Sequence, residues 1–382
     1  MKDDNFLREN NARHMWHPMG HQNNSDENMP AIIAKAEGVV IEDLDGHKTV
    51  DAVGGLWCVN LGYSNNVIKD AIAKQLYDLP YYSAFSGTSN PPAIEASYAV
   101  REFFEPDGMV RAFFTSGGSD SVETCLRLSR QYHRLRGEPT RTKFISLKKG
   151  YHGTHFGGAS VNGNNRFRIG YEPMLPGCFH LPSPYPYRNP FNETDPAQLA
   201  QNIAAAFEDE VQFQGANTIA AFIMEPIQGA GGVIVPHESF MGLMRDVCDR
   251  HGILMIADEV ITGFGRTGSW SGSSHYSVKP DMMSTAKGIT SGYFPVGAAL
   301  FNEKVSDVFE NSDPAEGGIY HGYTCSAHPV GAAAVTACLA ESVRLDLRAN
   351  AAARGTQLSE GLQTLASKHD IIGDVRGGQG LM

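Results

Sequence analysis

An α/β fold with a mostly parallel central sheet is predicted by three stretches of this 382-residue chain. Ile253-Leu-Met-Ile-Ala257 is an unbroken apolar run ending in Asp258 with Gly-rich sequence beyond it, the pattern of a strand buried on both faces. Thr218-Ile-Ala-Ala-Phe-Ile-Met224 has the same layout and ends at Glu225. Between them Phe240, Leu243, Met244, Val247 and His251 recur at helical spacing and Gly252 closes the run, so strand, helix and strand form a crossover unit. Parallel strands joined this way release their C-terminal residues at one sheet edge, which brings Glu225 and Asp258 into one cleft. In the third stretch, Arg111-Ala-Phe-Phe-Thr115 passes through Ser116-Gly-Gly-Ser119 into Val122, Cys125, Leu126 and Ser129 to Tyr132 at helical spacing.

Composition narrows the class. The chain is 42% hydrophobic and 19% charged, ordinary for an enzyme with a sizeable core, and its length suits about two or three domains. A net charge of −11, with no basic run longer than Lys148-Lys149, argues against a nucleic-acid or anionic-membrane surface. No stretch approaches the roughly 20 apolar residues of a membrane span. Met1-Lys-Asp-Asp-Asn-Phe6 lacks a signal peptide's apolar core, so a cytoplasmic location is expected. Cys58, Cys125, Cys178, Cys248, Cys325 and Cys338 are scattered without a metal-like pair, and no metal site is expected.

From the N-terminus, the first thirty residues are polar and Asn-rich, with His14, His17 and His21 around Trp16. Without Cys or carboxylate partners at ligand spacing, these histidines read better as a segment lying over another subunit or the mouth of a site. Residues 31 to 53 alternate as short strands about the turn Asp43-Leu-Asp45-Gly46. Trp57, beside Gly54 and Gly55, reads equally as core or as a pocket wall. At Ser116 to Ser119 a Gly-Gly-Ser turn opens a helix, whose free N–H groups and dipole suit an anion such as phosphate. Phe144 to Leu147 is a strand leading to Tyr151-His152-Gly153, where an aromatic between glycines can stack on a flat ring with His152 packed beneath it; a core tyrosine is the plainer reading. Pro182 to Pro190 reads as a surface loop, Thr194 to Phe207 as a helix, Pro295 to Leu300 as a strand and Ala327 to Leu345 as an Ala-rich helix. The chain stops after Val375-Arg376-Gly-Gly as an apolar run begins, so an incomplete last domain is expected.

Lys287 lies in the small-residue segment Ser284 to Gly292 with no acidic residue nearer than Asp281, which suits an amine held in a cleft. A lysine and an aspartate converging on one cleft are what pyridoxal phosphate (PLP) chemistry requires: the amine bonds the cofactor, and the carboxylate keeps its pyridine nitrogen protonated. An Asp-Glu pair after a strand is also a common loop carboxylate or cap.

Taken together, Gly55-Leu-Trp57-Cys-Val-Asn-Leu-Gly-Tyr63, Phe114-Thr-Ser-Gly-Gly118-Ser119-Asp-Ser-Val-Glu123, Tyr151-His152-Gly153, Glu225-Pro-Ile-Gln228, Asp258-Glu-Val-Ile-Thr-Gly-Phe-Gly-Arg266-Thr-Gly and Ala286-Lys287-Gly resemble the class III PLP-dependent aminotransferases, within them the omega-amino acid or amine:pyruvate branch. The resemblance implies fold type I, with a large domain on a mostly parallel seven-stranded sheet and a smaller α+β domain built from both chain ends. It divides the chain into an N-terminal segment with part of the small domain (1–60), the PLP-binding domain (61–310) and the end of that domain with the start of the C-terminal one (311–382). It implies Lys287 as the Schiff-base lysine and proton shuttle, Asp258 as partner of the pyridine nitrogen, Gly117, Gly118 and Ser119 on the phosphate, Tyr151 with His152 and Val260 about the ring, and Glu225 nearby. Thr324 would reach the phosphate of a neighbouring subunit, so a homodimer or tetramer shares its active sites. Trp57 and Tyr151 would line the substrate pocket. The activity implied is transfer of an amino group from an omega-amino acid such as β-alanine, or a primary amine, to pyruvate; a PLP lyase or aminomutase of this fold is the alternative. Asp120 and Ser121 depart from the Glu and Ala more usual in the family, and an altered helix N-terminus with the cofactor retained is expected.

Overall fold

The computed structural model describes residues 3–22, 30–378, 380 and 381, so the expectations for residues 1, 2 and 23–29 lie outside it. A small antiparallel sheet comes first, from β1 (Ile33–Glu37), β2 (Val40–Asp43) and β3 (Lys48–Val50) in that order. Its predicted turn is closed by Asp43, whose Oδ1 accepts from the N–H groups of Asp45 and His47 at 2.9 Å each.

The large sheet holds β4 (Met109–Thr115), β5 (Lys143–Leu147), β6 (Cys178–Leu181), β7 (Ile219–Met224), β8 (Leu254–Asp258), β9 (Met282–Thr285) and β10 (Gly297–Asn302), in the order β4-β10-β9-β8-β7-β5-β6. Only β10 runs antiparallel to its neighbours, so the expected seven-stranded, mostly parallel sheet is present. The helices of eight or more residues are α1 (Asp4–His14), α2 (Asn66–Asp78), α3 (Pro91–Phe103), α4 (Gly118–Leu135), α5 (Pro196–Gln214), α6 (Phe240–His251), α7 (Glu303–Glu310), α8 (Pro329–Arg344) and α9 (Leu347–Ala366).

Strand periodicity sorts the core into two layers. Phe222, Met224, Met255, Ala257, Met283, Ala298 and Leu300 pack with α3, α5, α6 and α8 on one face of the sheet. Their neighbours Ala221, Ile223, Leu254, Ile256, Met282, Ala299 and Phe301 pack with α4 and α7 on the other. Counting on by two residues places Glu225, Asp258 and Ser284 on the α4 face, at the C-terminal ends of their strands. The sheet therefore aims its polar end groups at the start of one helix.

Two expectations need adjusting. The loop 182–190 is not all surface: Ser183, Pro184 and Tyr185 are buried, because the Ser183 hydroxyl bonds the Gln228 side-chain carbonyl and the Tyr185 ring sits between Lys149 and Arg376, at 5.5 and 4.9 Å. Helices α1, α2, α3, α7 and α9 and strands β6 and β9 lie in stretches where no element was predicted.

Candidate active site

A cavity of about 170 Å³ opens where β7, β8 and the start of α4 meet, and Gly118, Ser119, Tyr151, His152, Glu225, Asp258, Val260 and Lys287 line it together. Gly117 stands one residue before α4 as its N-cap. Trp57 is not in that lining, but its ring centroid is 5.3 Å from Lys287 Nζ. It also packs with Ile227, Ile261 and Leu381. Thr324 is exposed and outside the cavity, its carbonyl accepting from the Tyr81 hydroxyl at 2.9 Å.

Asp258 has both oxygens engaged. Oδ2 is 2.7 Å from His152 Nδ1, and Oδ1 accepts from Ser284 Oγ at 3.0 Å and from the Val260 N–H at 3.2 Å. His152 is thus a hydrogen-bond partner of the carboxylate, and its Nε2 is buried without a partner. Glu225 accepts from the N–H of Tyr151 at 2.9 Å and of Gly229 at 2.8 Å. Burial pushes its carboxyl up to about 7, with His152 opposing and Asp258 adding to the shift. Burial likewise lowers the Lys287 amine below the ordinary lysine range, with Asp258 and Glu225 pulling the other way.

The backbone around this cleft is strained. Leu56, Trp57 and Lys287 have φ of +64°, +60° and +50°, a region that costs a non-glycine residue about 1–3 kcal/mol and recurs at functional sites. At the start of α4 the first N–H groups have no acceptor within the helix. Gly118 keeps that end open, since a Cβ there would stand 3.1 Å from Val260 Cγ1 and 3.5 Å from Ala286 Cβ. Gly153, at φ +93°, lets the 151–154 loop lie against the helix start: a Cβ on it would be 2.8 Å from Ser119 Cα. The Thr154 N–H donates to Ser119 Oγ at 3.2 Å and pins the same contact. With Asp120 and Ser121 in its first turn, α4 starts at Gly118; Ser121 Oγ donates to the Gly118 carbonyl at 2.9 Å.

Tyr151 meets Phe167 edge-on at 4.8 Å between centroids. Beyond Phe167 a groove of about 830 Å³ is shared by residues 154–174 and the segment 16–22, where Arg166 donates to the Met19 carbonyl at 3.2 Å. The N-terminal segment thus lies beside the cleft. Among the described residues, the group with metal-ligand spacing is the half-buried Asp43 with the exposed Asp45 and His47, not the histidines around Trp16.

The donor set fits pyridoxal phosphate: a buried amine of lowered basicity, a carboxylate fixed by a histidine behind it, a helix start with free N–H groups, and Val260, Tyr151 and Ile261 as less polar walls. Sequence reasoning missed Ser284, Leu56, Ile261 and the contact of Gly153 with Ser119. Ser284 is the third residue of a strand of only four, too short for a periodic signal.

The profile of the aminotransferase class-III family matches residues 21–382. Putrescine–pyruvate aminotransferase of Pseudomonas aeruginosa is 39% identical over 91% of this chain and 75% of its own length. Taurine–pyruvate aminotransferase of Bilophila wadsworthia is 36% identical over 96% of this chain and 78% of its own. The PLP-bound structure of an amine transaminase from an uncultivated Pseudomonas species superposes with a TM-score of 0.94 at 46% identity, over 96% of this chain and 82% of that one. With one family's profile spanning nearly all the chain and a solved amine transaminase sharing its fold, this protein belongs to the class-III aminotransferases and is a PLP-dependent transaminase of fold type I.

Proposed function

We propose that this enzyme moves the amino group of an omega-amino acid or primary amine to pyruvate, releasing an aldehyde or semialdehyde and alanine. The observation that carries the reading is the convergence of Lys287, Asp258 and the 117–119 turn on one cleft. The relatives named for putrescine, taurine and pyruvate support the choice of donor and acceptor.

When bound, pyridoxal phosphate supplies an electron sink for negative charge at the amine-bearing carbon of the donor. Lys287 would bond it and, as a free amine, carry the proton off that carbon; burial favours the neutral amine that can accept it. Positioned proton transfer of this kind is worth about 10²- to 10⁴-fold. Asp258 would hold a fixed negative charge at the ring nitrogen, oriented by His152, Ser284 and the Val260 N–H. The N–H groups of Gly117 to Ser119 would receive the phosphate, with Tyr151 and Val260 on either side of the ring. Glu225 holds the N–H groups of Tyr151 and Gly229 in place. Trp57 would wall the donor side of the Lys287 amine.

Thr324 is exposed and outside its own chain's cavity, which fits a contribution to the partner subunit's phosphate site in a cytoplasmic homodimer. Supporting this, Tyr81, Tyr82, Phe85 and Tyr320 are exposed on the described surface, and Phe85 reaches the backbone beside Thr324 at Gly322. Incubating the PLP-loaded enzyme with pyruvate and each of putrescine, taurine, β-alanine and 1-phenylethylamine, and measuring alanine, tests the proposal. Alanine formation with at least one donor is expected; none with any donor would refute the donor and acceptor assignment.

A further inference from the structure

The phosphate-side turn is braced by Asp120, just inside the start of α4. Asp120 is the third residue of α4, and its side chain folds back across the helix start. Its Oδ2 accepts from the Ser116 N–H at 3.1 Å, and its Oδ1 is 2.7 Å from His155 Nε2. Its carbonyl accepts from Tyr323 Oη at 3.1 Å and from Thr124 Oγ1 at 2.8 Å. The ring of His155 in turn faces that of Tyr323 at an interplanar angle of 23°, with centroids 6.4 Å apart. One side chain and its carbonyl therefore join the end of β4, the start of α4, the 151–155 loop and the 317–328 loop. Those segments surround residues 117–119.

We propose that Asp120, paired with His155, is a positioning residue for the cofactor phosphate. The argument rests on the assignment of that phosphate to residues 117–119. A helix start binds an anion only if its N–H groups share one direction, and the bond to Ser116 fixes the residue that leads into them. A bare carboxylate this close would repel phosphate, and the contact with His155 takes up its second oxygen. Asp120 sits 16% exposed and His155 45%, so the pair lies at the rim, where it orders the loop without entering the cleft.

The test compares binding of PLP and of pyridoxal, which lacks the phosphate, to the apoenzyme by absorbance titration. Wild type is expected to prefer PLP by a wide margin. Asp120→Ala is expected to weaken PLP about tenfold, roughly the effect of one hydrogen bond to a charged group, and to change pyridoxal binding less than about threefold. Asp120→Asn, which keeps an acceptor for the Ser116 N–H, is expected to restore most of the PLP affinity. His155→Phe, which keeps the ring beside Tyr323 but not its nitrogen, is expected to show the same PLP-selective loss and serves if Asp120→Ala does not fold. Equal weakening of both ligands, or no weakening of either, would overturn the role of Asp120. A wild type that does not prefer PLP would overturn the phosphate assignment itself, and this inference with it.

Discussion

Asp258 illustrates what a buried carboxylate needs before it can act on a bound ring. Three donors hold it, so replacing it by asparagine leaves the cleft's shape intact and removes the charge. Asp258→Asn is expected to bind PLP and to lose turnover by about 10²-fold or more, within the range of a misset proton-transfer site; normal turnover by that variant would refute its role. Glu225 gives a pH signature. Its folded-state carboxyl titrates at about 7 against an ordinary 4.5, so between those values the folded protein holds a proton that the unfolded chain has lost. Stability of the cofactor-free enzyme should fall as pH rises through that window, by roughly 3 kcal/mol at 1.36 kcal/mol per unit. Urea midpoints at pH 5 and 8 should show the fall in wild type and a flatter response in Glu225→Gln. Asp258 and the glycine turn were legible because the one ends a strand and the other opens a helix in plain view, and Lys287 because it stands alone among small residues. The bond from His152 to Asp258 was not: it joins residues 106 positions apart, and nothing local encodes it.

At the scale of elements, the strands were legible wherever an apolar run filled both faces. β7 is buried along its whole length, and Phe222 packs on Phe207 at 4.7 Å within the layer under α5. Phe222→Ala is expected to destabilise the protein by about 3–5 kcal/mol through the lost contacts and the cavity left behind, seen as a lower urea midpoint with the absorption of bound cofactor unchanged at low urea. Helix α2 escaped the apolar pattern because its buried face is narrow, only Ile68 being buried, and α3 because two of its four buried residues, Ala93 and Ala96, are alanines of little apolar contrast. Their caps were nonetheless present in the sequence: Asn65 accepts from the Ile68 N–H, and Asn90, followed by Pro91, accepts from the Ala93 N–H. Reading caps before periodicity would have found both.

For the whole molecule, the cleft is one part of a surface that carries further apolar area. Tyr320 is 93% exposed and Tyr77 90%, an arrangement that a solitary acidic protein of net charge −11 gains nothing from. Sedimentation equilibrium is expected to give a dimer at micromolar concentration; a monomer that is fully active would contradict the shared site assigned to Thr324. Among the described residues no helix is long and apolar enough to cross a membrane. The sequence pointed to a dimer only through family resemblance, since a partner surface has no periodic signature.

The most direct test of the account is the visible absorption spectrum of the PLP-loaded enzyme as an amine donor such as putrescine is added alone and pyruvate afterwards. The account predicts that the donor bleaches the long-wavelength band and that pyruvate restores it with formation of alanine. A band that the donor leaves unchanged, or that recovers without any acceptor, would contradict the assignment of this chain as an amine:pyruvate transaminase.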